Sequence, residues 1–266
     1  MQNWFEQIQR KLLRIQQQIS ELEKSIFDYW NLNNIDFILN EKKLWYKLIV
    51  RDIPQDIPLN HWDEKFWECI HNLRSVLDNF AFYLAKIEKN PPEKPRDIYF
   101  PIFLNKKDFD LKKKKILYQL PMSAQFMIER LQPFNRDGSR DIGPPEEDAL
   151  YILHQLDILD KHHSPSVVLI SPTEIWFNGS ITFESEEAAN RNSPPETTIY
   201  TWILEPKKVL FEYNTKDPIE LVKWTYEIKA TVWIEFNGKY FEIIVLLKKL
   251  HYYVWLVLGQ FKEYIN

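Results

Sequence analysis

Cysteine and glycine are scarce in this chain of 266 residues, and their scarcity excludes several kinds of protein. Cys69 is the single cysteine, so neither an internal disulfide nor a zinc site built on cysteines can form. The five glycines include no group with the spacing of a dinucleotide-binding fingerprint or a phosphate-binding loop. These absences argue against a nucleotide-dependent enzyme, and we expect no cofactor and no metal site.

Long apolar runs and a strong net charge are also missing. The longest apolar run, YYVWLVL at 252–258, is too short to span a bilayer. The N-terminus lacks the basic, apolar and small-residue order of a secretory signal. The net charge of −4 excludes a surface that is basic throughout but allows a local basic groove. We therefore expect a cytoplasmic protein without membrane contact.

Apolar residues are plentiful, at 45%, and their periodicity in the first part of the chain is mostly helical. Residues 2–31 carry an apolar side chain every three or four positions, which predicts a long amphipathic helix. A β-hairpin is predicted from 35–40 and 44–50. Further helices are expected at 60–89, capped near Asn60 to Asp63, and at 106–118, 122–132 and 146–162.

The last hundred residues change from helical to strand character. Strands are predicted at 166–171, 174–183, 198–204, 208–213 and 224–236, with an exposed polar loop at 186–196 and a final helix from residue 242. Since strands flank a helical middle, the early hairpin can join the late sheet. We expect an α+β fold in which long N- and C-terminal helices and a helical core pack with an antiparallel β-sheet. This is a single interleaved unit over 1–266, with a helix and hairpin in 1–57, the core in 58–165, and the sheet and last helix in 166–266.

The predicted helix 60–89 has an unusual polar face, in the stretch HNLRSVLDNF at 71–80. At about 100° per residue, His71, Arg74 and Asp78 fall opposite an apolar side. That side consists of Leu73, Val76, Leu77, Phe80, Leu84 and Ile87. Asn72 and Asn79 flank the polar group. An ordinary exposed ion pair between Arg74 and Asp78 would explain the pattern equally well.

The predicted helix 146–162 favours a shielded cluster instead. Ala149, Leu153 and Leu156 form an apolar line along one side of this helix. Asp160 is the next residue on that line. Because an unpaired buried carboxylate is costly, Asp160 needs a cation or a hydrogen-bond donor, and Arg74 and His71 are suitable partners. We therefore expect the two helices to meet in an Arg–Asp–His cluster, with His162 close by. The cluster is either a structural lock or a pocket that binds an anion and transfers a proton.

These residues also carry a resemblance. The sequence resembles an uncharacterised family of bacterial proteins with the ordered blocks H-N-L-R-S-x-L-D-H, F-P-I, L-Q-P-[YF] and D-K-H. The matching residues here are His71, Asn72, Leu73, Arg74, Ser75, Leu77, Asp78, Phe100, Pro101, Ile102, Leu131, Gln132, Pro133, Phe134, Asp160, Lys161 and His162. The long first helix, the early hairpin and the last helix fit the same layout, so the likeness covers most of the chain.

The R-x4-H within that pattern is similar to the signature of the HEPN superfamily. These proteins are helical and often homodimeric, and many are metal-independent ribonucleases of toxin–antitoxin and antiviral defence systems. The resemblance implies a HEPN-like core in 58–165, a phosphate-binding role for Arg74 and a proton-transfer role at position 79. Position 79 is Asn79, whose amide cannot act as a base, so His71 or His162 would have to replace it. Residues five apart on a helix diverge by about 140°, which favours a two-fold interface that brings Arg74 and Asn79 of two chains together.

A basic stretch, NKKDFDLKKKK at 105–115, is either an exposed helix face or a path for an RNA backbone. The leading hypothesis is an RNA-phosphate-binding, HEPN-like homodimer with endoribonuclease activity. Its expected catalytic residues are His71, Arg74, Asp78, Asn79 and His162, and its expected binding residues are Asn72, Lys112, Lys113, Lys114, Lys115, Asp160 and Lys161. The alternative is a non-catalytic homodimeric scaffold, such as an antitoxin or defence partner, whose cluster only locks helix packing.

Overall fold

The computed structural model describes residues 3–33, 35–136, 143–161, 168–193, 196–200 and 203–264. The helices in these ranges are α1 (Asn3–Leu32), α2 (Leu59–Glu88), α3 (Lys106–Ile116), α4 (Met122–Arg130), α5 (Ala149–Lys161), α6 (Glu186–Arg191) and α7 (Ile243–Gly259). The strands are β1 (Asp36–Lys42), β2 (Trp45–Asp52), β3 (Val168–Phe183), β4 (Glu196–Ile199), β5 (Val209–Asn214), β6 (Ile219–Phe236) and β7 (Lys239–Glu242). The predicted α+β fold class, with a long N-terminal helix and a C-terminal helix, is confirmed.

The chain divides into two compact units, each assembled from separate stretches of sequence. The first, here called the helical unit, comprises Met1–Glu23, His61–Pro165 and Ile244–Asn266. The second, here called the sheet unit, comprises Lys24–Asn60 and Ser166–Ile243. The single interleaved unit over 1–266 stays a prediction.

In the helical unit, α1 and α2 bury the apolar faces that their periodicity predicts. The buried side chains are Ile8, Leu12, Ile15, Ile19 and Leu22 on α1 and Leu73, Val76, Leu77, Phe80 and Leu84 on α2. Ile87, expected on the same line, is 40% exposed because it lies in the last turn of α2. The predicted cap was also wrong, since α2 begins at Leu59 and Asp63 lies inside it, accepting a hydrogen bond from Trp67 Nε1 at 2.9 Å.

The sheet unit contains two antiparallel sheets in its described part. One has the strand order β1-β2-β5-β4 and the other the order β3-β6-β7. The pairing of β2 with β5, from Trp45 opposite Asn214 to Ile49 opposite Val209, confirms that the early hairpin joins a late strand. Buried side chains from both sheets form one core, among them Tyr46, Leu48, Val50, Ile170, Leu210, Phe211, Tyr213 and Ala230.

Several local predictions in the sheet unit were wrong. The described parts of the predicted strands 166–171 and 174–183 belong to one strand, β3, whose register shifts between Pro172 and Glu174. The start of the predicted polar loop 186–196 is helix α6, because the Ser185 hydroxyl caps it by accepting a hydrogen bond from Ala188 N. Asn237 and Gly238 have positive φ angles of 52° and 70° and form a hairpin turn into β7, which was not predicted.

Candidate functional site in a cleft along helix α2

The polar face of α2 forms one wall of a cleft of about 280 Å³ in the helical unit. The lining residues are His71, Arg74, Ser75, Asp78, Asn79 and Phe82 of α2, Ile98 of the following segment and Asp157 of α5. The α2 residues recur at intervals of three and four, which places them on one stripe of a continuous helix. Four of the five predicted catalytic residues, His71, Arg74, Asp78 and Asn79, therefore line the same cleft.

His71 contacts a buried carboxylate across the interface between α2 and α5. Its Nδ1 lies 3.3 Å from Asp157 Oδ1, and the imidazole is 58% exposed whereas the Asp157 side chain is 2% exposed. This contact confirms that the two helices meet. With Nδ1 donating its proton to the carboxylate, the ring is held in one orientation and one tautomer. Nε2, which has no partner among the described residues, is then the nitrogen that can exchange a proton with a ligand.

Arg74 is buried, at 6% exposed, and does not lie on an exposed polar face. Its Nη2 donates to the carbonyl oxygen of Phe100 at 2.7 Å and lies 2.9 Å from Asp78 Oδ1. The same Asp78 oxygen accepts a hydrogen bond from Phe100 N at 2.9 Å. The Arg74–Asp78 pair therefore holds both backbone polar groups of Phe100, in the F-P-I block. Nη1 is buried and has no hydrogen-bond partner among the described residues.

Gln132, from the L-Q-P block, also bonds to the backbone of this segment. The contacts of Arg74, Asp78 and Gln132 with the backbone of 100–103 are here called the Phe100 clamp. The Gln132 side chain is buried, accepts a hydrogen bond from Phe103 N at 2.9 Å and donates to the Pro101 carbonyl at 2.9 Å. The segment Phe100 to Phe103 is thus held from one side by α2 and from the other by Gln132. That these sequence blocks bond to one another was not predicted from the sequence.

Asp157 is the functional candidate that the sequence analysis missed. It follows the fully buried Leu150 by seven residues and Leu153 by four, so it lies on a buried line of α5. The apolar line through Leu153 and Leu156 had predicted Asp160 instead. The side chains of Asp160 and Lys161, and the whole of His162, lie outside the described residues. The contact predicted between Arg74 and Asp160 stays a prediction, and the described ionic partner of Arg74 is Asp78.

The two asparagines of the polar face have different partners. Asn72 Nδ2 donates to Gln18 Oε1 of α1 at 3.1 Å, and Asn72 does not line the cleft. Asn79 lines it, but its Nδ2 donates to the carbonyl oxygen of Ser75 at 2.7 Å. Since Arg74 and Asn79 line one cleft within one chain, a second chain is not needed to bring them together.

The predicted lysines belong to a different surface. Lys113 contacts Asp110 at 3.0 Å and Glu129 at 3.4 Å, and Lys112 Nζ lies 5.6 Å from the centre of the Phe103 ring. Lys114 and Lys115 are exposed. None of the four is among the residues that line the α2 cleft. Their role in binding RNA stays a prediction.

The charges in the cleft limit what it can do. Besides the Arg74 guanidinium, the cleft is lined by two carboxylates, Asp78 and Asp157, so it is not a simple cationic site for anions. Additional positive charge for a bound anion would come from protonation of His71. The arrangement is better suited to proton transfer by an oriented imidazole, with Arg74 close to where negative charge would develop. Cys69, also on α2, is no nucleophile, because burial raises the pKa of its thiol to about 12.

Comparisons of the chain with protein-family models, with curated proteins and with solved structures find no match. The resemblance to HEPN proteins therefore stays a prediction that rests on the motif residues alone. Within the described ranges, no helix is both long and apolar enough to cross a bilayer. No group of three or more His, Cys, Asp or Glu side chains in the same ranges could hold a metal ion.

Proposed function

We propose that this protein is a cytoplasmic, HEPN-like endoribonuclease that binds RNA in the α2 cleft and cleaves it without a metal ion. The observation that carries the proposal is the His71–Asp157 pair, an exposed imidazole held by a buried carboxylate in the same cleft as Arg74. RNA supplies its own nucleophile, the ribose 2′-hydroxyl. A protein that cleaves it needs a group to take up the hydroxyl proton and a charge to stabilise the phosphorane.

In the proposed reaction, His71 Nε2 accepts the proton of a 2′-hydroxyl and the 2′-oxygen attacks the adjacent phosphorus. The bond from phosphorus to the 5′-oxygen of the next nucleotide breaks, and that oxygen takes a proton from a water molecule, whose hydroxide then removes the proton from His71 Nε2. The products are a 2′,3′-cyclic phosphate and a 5′-hydroxyl. Asp157 stabilises the imidazolium as it forms, and the Arg74 guanidinium stabilises the negative charge on the phosphoryl oxygens. Asn79 replaces the proton-transfer residue that the resemblance implies, and His71 takes over its role.

A homodimer is part of the proposal, since α7 leaves large apolar side chains in solvent. Val245, Tyr252 and Trp255 are all more than half exposed, and the last two stack with ring centres 6.2 Å apart. Exposed apolar patches of this kind commonly mark protein–protein interfaces. The proposed partner is a second copy of the chain, with an antitoxin or another defence protein as a further partner.

The experiment that tests the proposal compares His71→Gln with a matched control, His61→Gln. Both histidines lie on α2 and are exposed, but only His71 lines the cleft. RNA oligonucleotides are incubated with the purified chain in the presence of a chelator, and the products are mapped by mass. Losing the proton-transfer group should slow cleavage roughly 100-fold or more, whereas His61→Gln should match the wild type. Absence of cyclic phosphate products from the wild type, or full activity of His71→Gln, would contradict the proposal.

A second candidate function is a non-catalytic scaffold, and the Phe100 clamp favours it. Arg74 and Asp78 bond to backbone groups, as residues that only stabilise packing would. Under this alternative, the purified wild type neither binds nor cleaves RNA, while His71→Gln folds normally and keeps its protein partners.

A further inference from the structure

The stripe of α2 that lines the cleft does not end with its charged residues. Four residues after Asp78 it presents Phe82, which lines the cleft together with Ile98. The aromatic residues on either side of Phe82, Phe80 and Tyr83, are buried, whereas Phe82 keeps part of its surface in contact with solvent. One end of the cleft is therefore charged and the other carries an accessible aromatic ring.

Lys86 adds a positive charge to the aromatic end. Its Nζ lies 5.0 Å from the centre of the Phe82 ring, and it is exposed. It forms no ion pair with any residue in the described part of the chain, unlike Arg74, whose charge is offset by Asp78. An ammonium group without a carboxylate partner, beside an accessible ring, suits a ligand with a flat apolar part next to a negative charge.

We propose that Phe82 and Lys86 form a nucleobase subsite of the α2 cleft, in which the ring stacks on one unpaired base and the ammonium contacts a neighbouring phosphate. Stacking on an aromatic side chain and a nearby cation are the two general means by which proteins hold single-stranded nucleic acid. The subsite rests on the proposed function, because it selects the RNA that is presented to His71.

The position of the subsite sets its distance from the reacting phosphate. Arg74 and Phe82 are eight residues apart on α2, which is about 12 Å along the helix axis. A base held by Phe82 therefore belongs to a nucleotide close to the cleaved bond but not to the bond itself. Since a duplex keeps its bases paired and stacked, the subsite selects single strands over double strands.

Binding measurements test the subsite. Every protein is the full chain carrying His71→Gln, which should slow cleavage enough for binding to be measured, and the probe is a fluorescein-labelled single-stranded RNA followed by anisotropy. Adding Phe82→Leu should weaken binding roughly five- to hundred-fold, the range for a lost base stack, whereas Phe82→Trp should retain it. Phe126→Leu is the matched control, since Phe126 is an exposed phenylalanine on α4 outside the cleft.

A separate pair of variants tests how much the Lys86 charge contributes to RNA binding. Lys86→Ala should weaken binding and lower the salt dependence by about one ionic contact. Lys89→Ala removes an equally exposed lysine just beyond α2 and should have a smaller effect. Thermal melting of each variant shows whether the fold is retained, and Phe82→Trp keeps the test valid should Phe82→Leu unfold.

The outcomes separate the subsite from the function. If Phe82→Leu binds as tightly as its parent, or a duplex binds as tightly as the single strand, the subsite is overturned while cleavage by the wild type still supports the proposed function. If the parent binds no RNA and the wild type leaves RNA uncut, the proposed function is overturned and the subsite with it.

Discussion

The proposed chemistry depends on one residue type at one position. Histidine is the side chain best suited to proton transfer near neutral pH, and His71 is the histidine among the described residues that line the cleft. Its position on α2 was evident from the sequence, but its partner was not. Helical periodicity shows that Asp157 and Asp160 are both near the apolar side of α5, and only the packed structure shows that Asp157 reaches His71.

At the residue scale, we predict that Asp157→Asn slows RNA cleavage by roughly 100-fold, because the amide no longer orients the imidazole or stabilises its charged form. Cleavage rates are measured for Asp157→Asn, His71→Gln and the double variant. Since the two residues act as a unit, the double variant should be no slower than His71→Gln alone. If the rate loss of the double variant equals the product of the two single losses, the two residues do not share a role.

At the scale of secondary-structure elements, the long helices could be predicted and the short elements could not. The helical spacing of apolar residues is enough to predict α1 and α2, because each helix keeps apolar side chains on one face over about eight turns. Helix α6 has six residues, too few for a period, and depends on the Ser185 cap. The Asn237–Gly238 pair is a hairpin signal in the sequence, but the strand after it, β7, has four residues, too few to show a strand period.

The same limit applies to the candidate site. The polar stripe of α2 was predicted from spacing, since it lies within one helix. The Phe100 clamp joins residues 22 to 31 positions apart through backbone groups, which no side-chain pattern specifies. Arg74 was expected in a shielded cluster with Asp160, with an exposed pair to Asp78 as the alternative; the structure buries Arg74 and pairs it with Asp78 and the Phe100 peptide.

At the scale of secondary-structure elements, we predict that Gln132→Leu lowers the free energy of unfolding by about 2 kcal/mol or more. The reason is that Phe103 N and the Pro101 carbonyl lose their buried partner. Urea denaturation of the purified chain measures the change. Gln16→Leu is the control, since Gln16 is exposed on α1 and its substitution should have little effect. Equal stability of the two variants would show that the clamp contributes little.

At the scale of the whole molecule, the sequence order of helices and strands predicted the α+β class correctly. What it could not supply is how the chain is partitioned, because each compact unit combines stretches that are distant in sequence. The cleft and the exposed face of α7 both belong to the helical unit. RNA binding and self-association can therefore be tested separately through variants in that unit.

The prediction at this scale is that the chain of 32.3 kDa sediments as a dimer and that Trp255→Glu converts it to a monomer. A charge placed in an apolar interface is costly to bury, whereas at an isolated exposed position it is tolerated. Phe126→Glu on α4 is the control and should leave the dimer intact, since Phe126 is 63% exposed and lies on a different helix from Trp255. A monomeric wild type would contradict the proposed homodimer.

The proposed function requires that the imidazole on α2 takes a proton from the ribose of a bound RNA. The most direct measurement is the cleavage rate of an RNA oligonucleotide and of the same oligonucleotide with a single 2′-deoxy substitution at the scissile nucleotide. We expect the wild type to cut the first into products ending in a cyclic phosphate and to leave that bond of the second intact. Cleavage of the deoxy-substituted bond at an equal rate would contradict it.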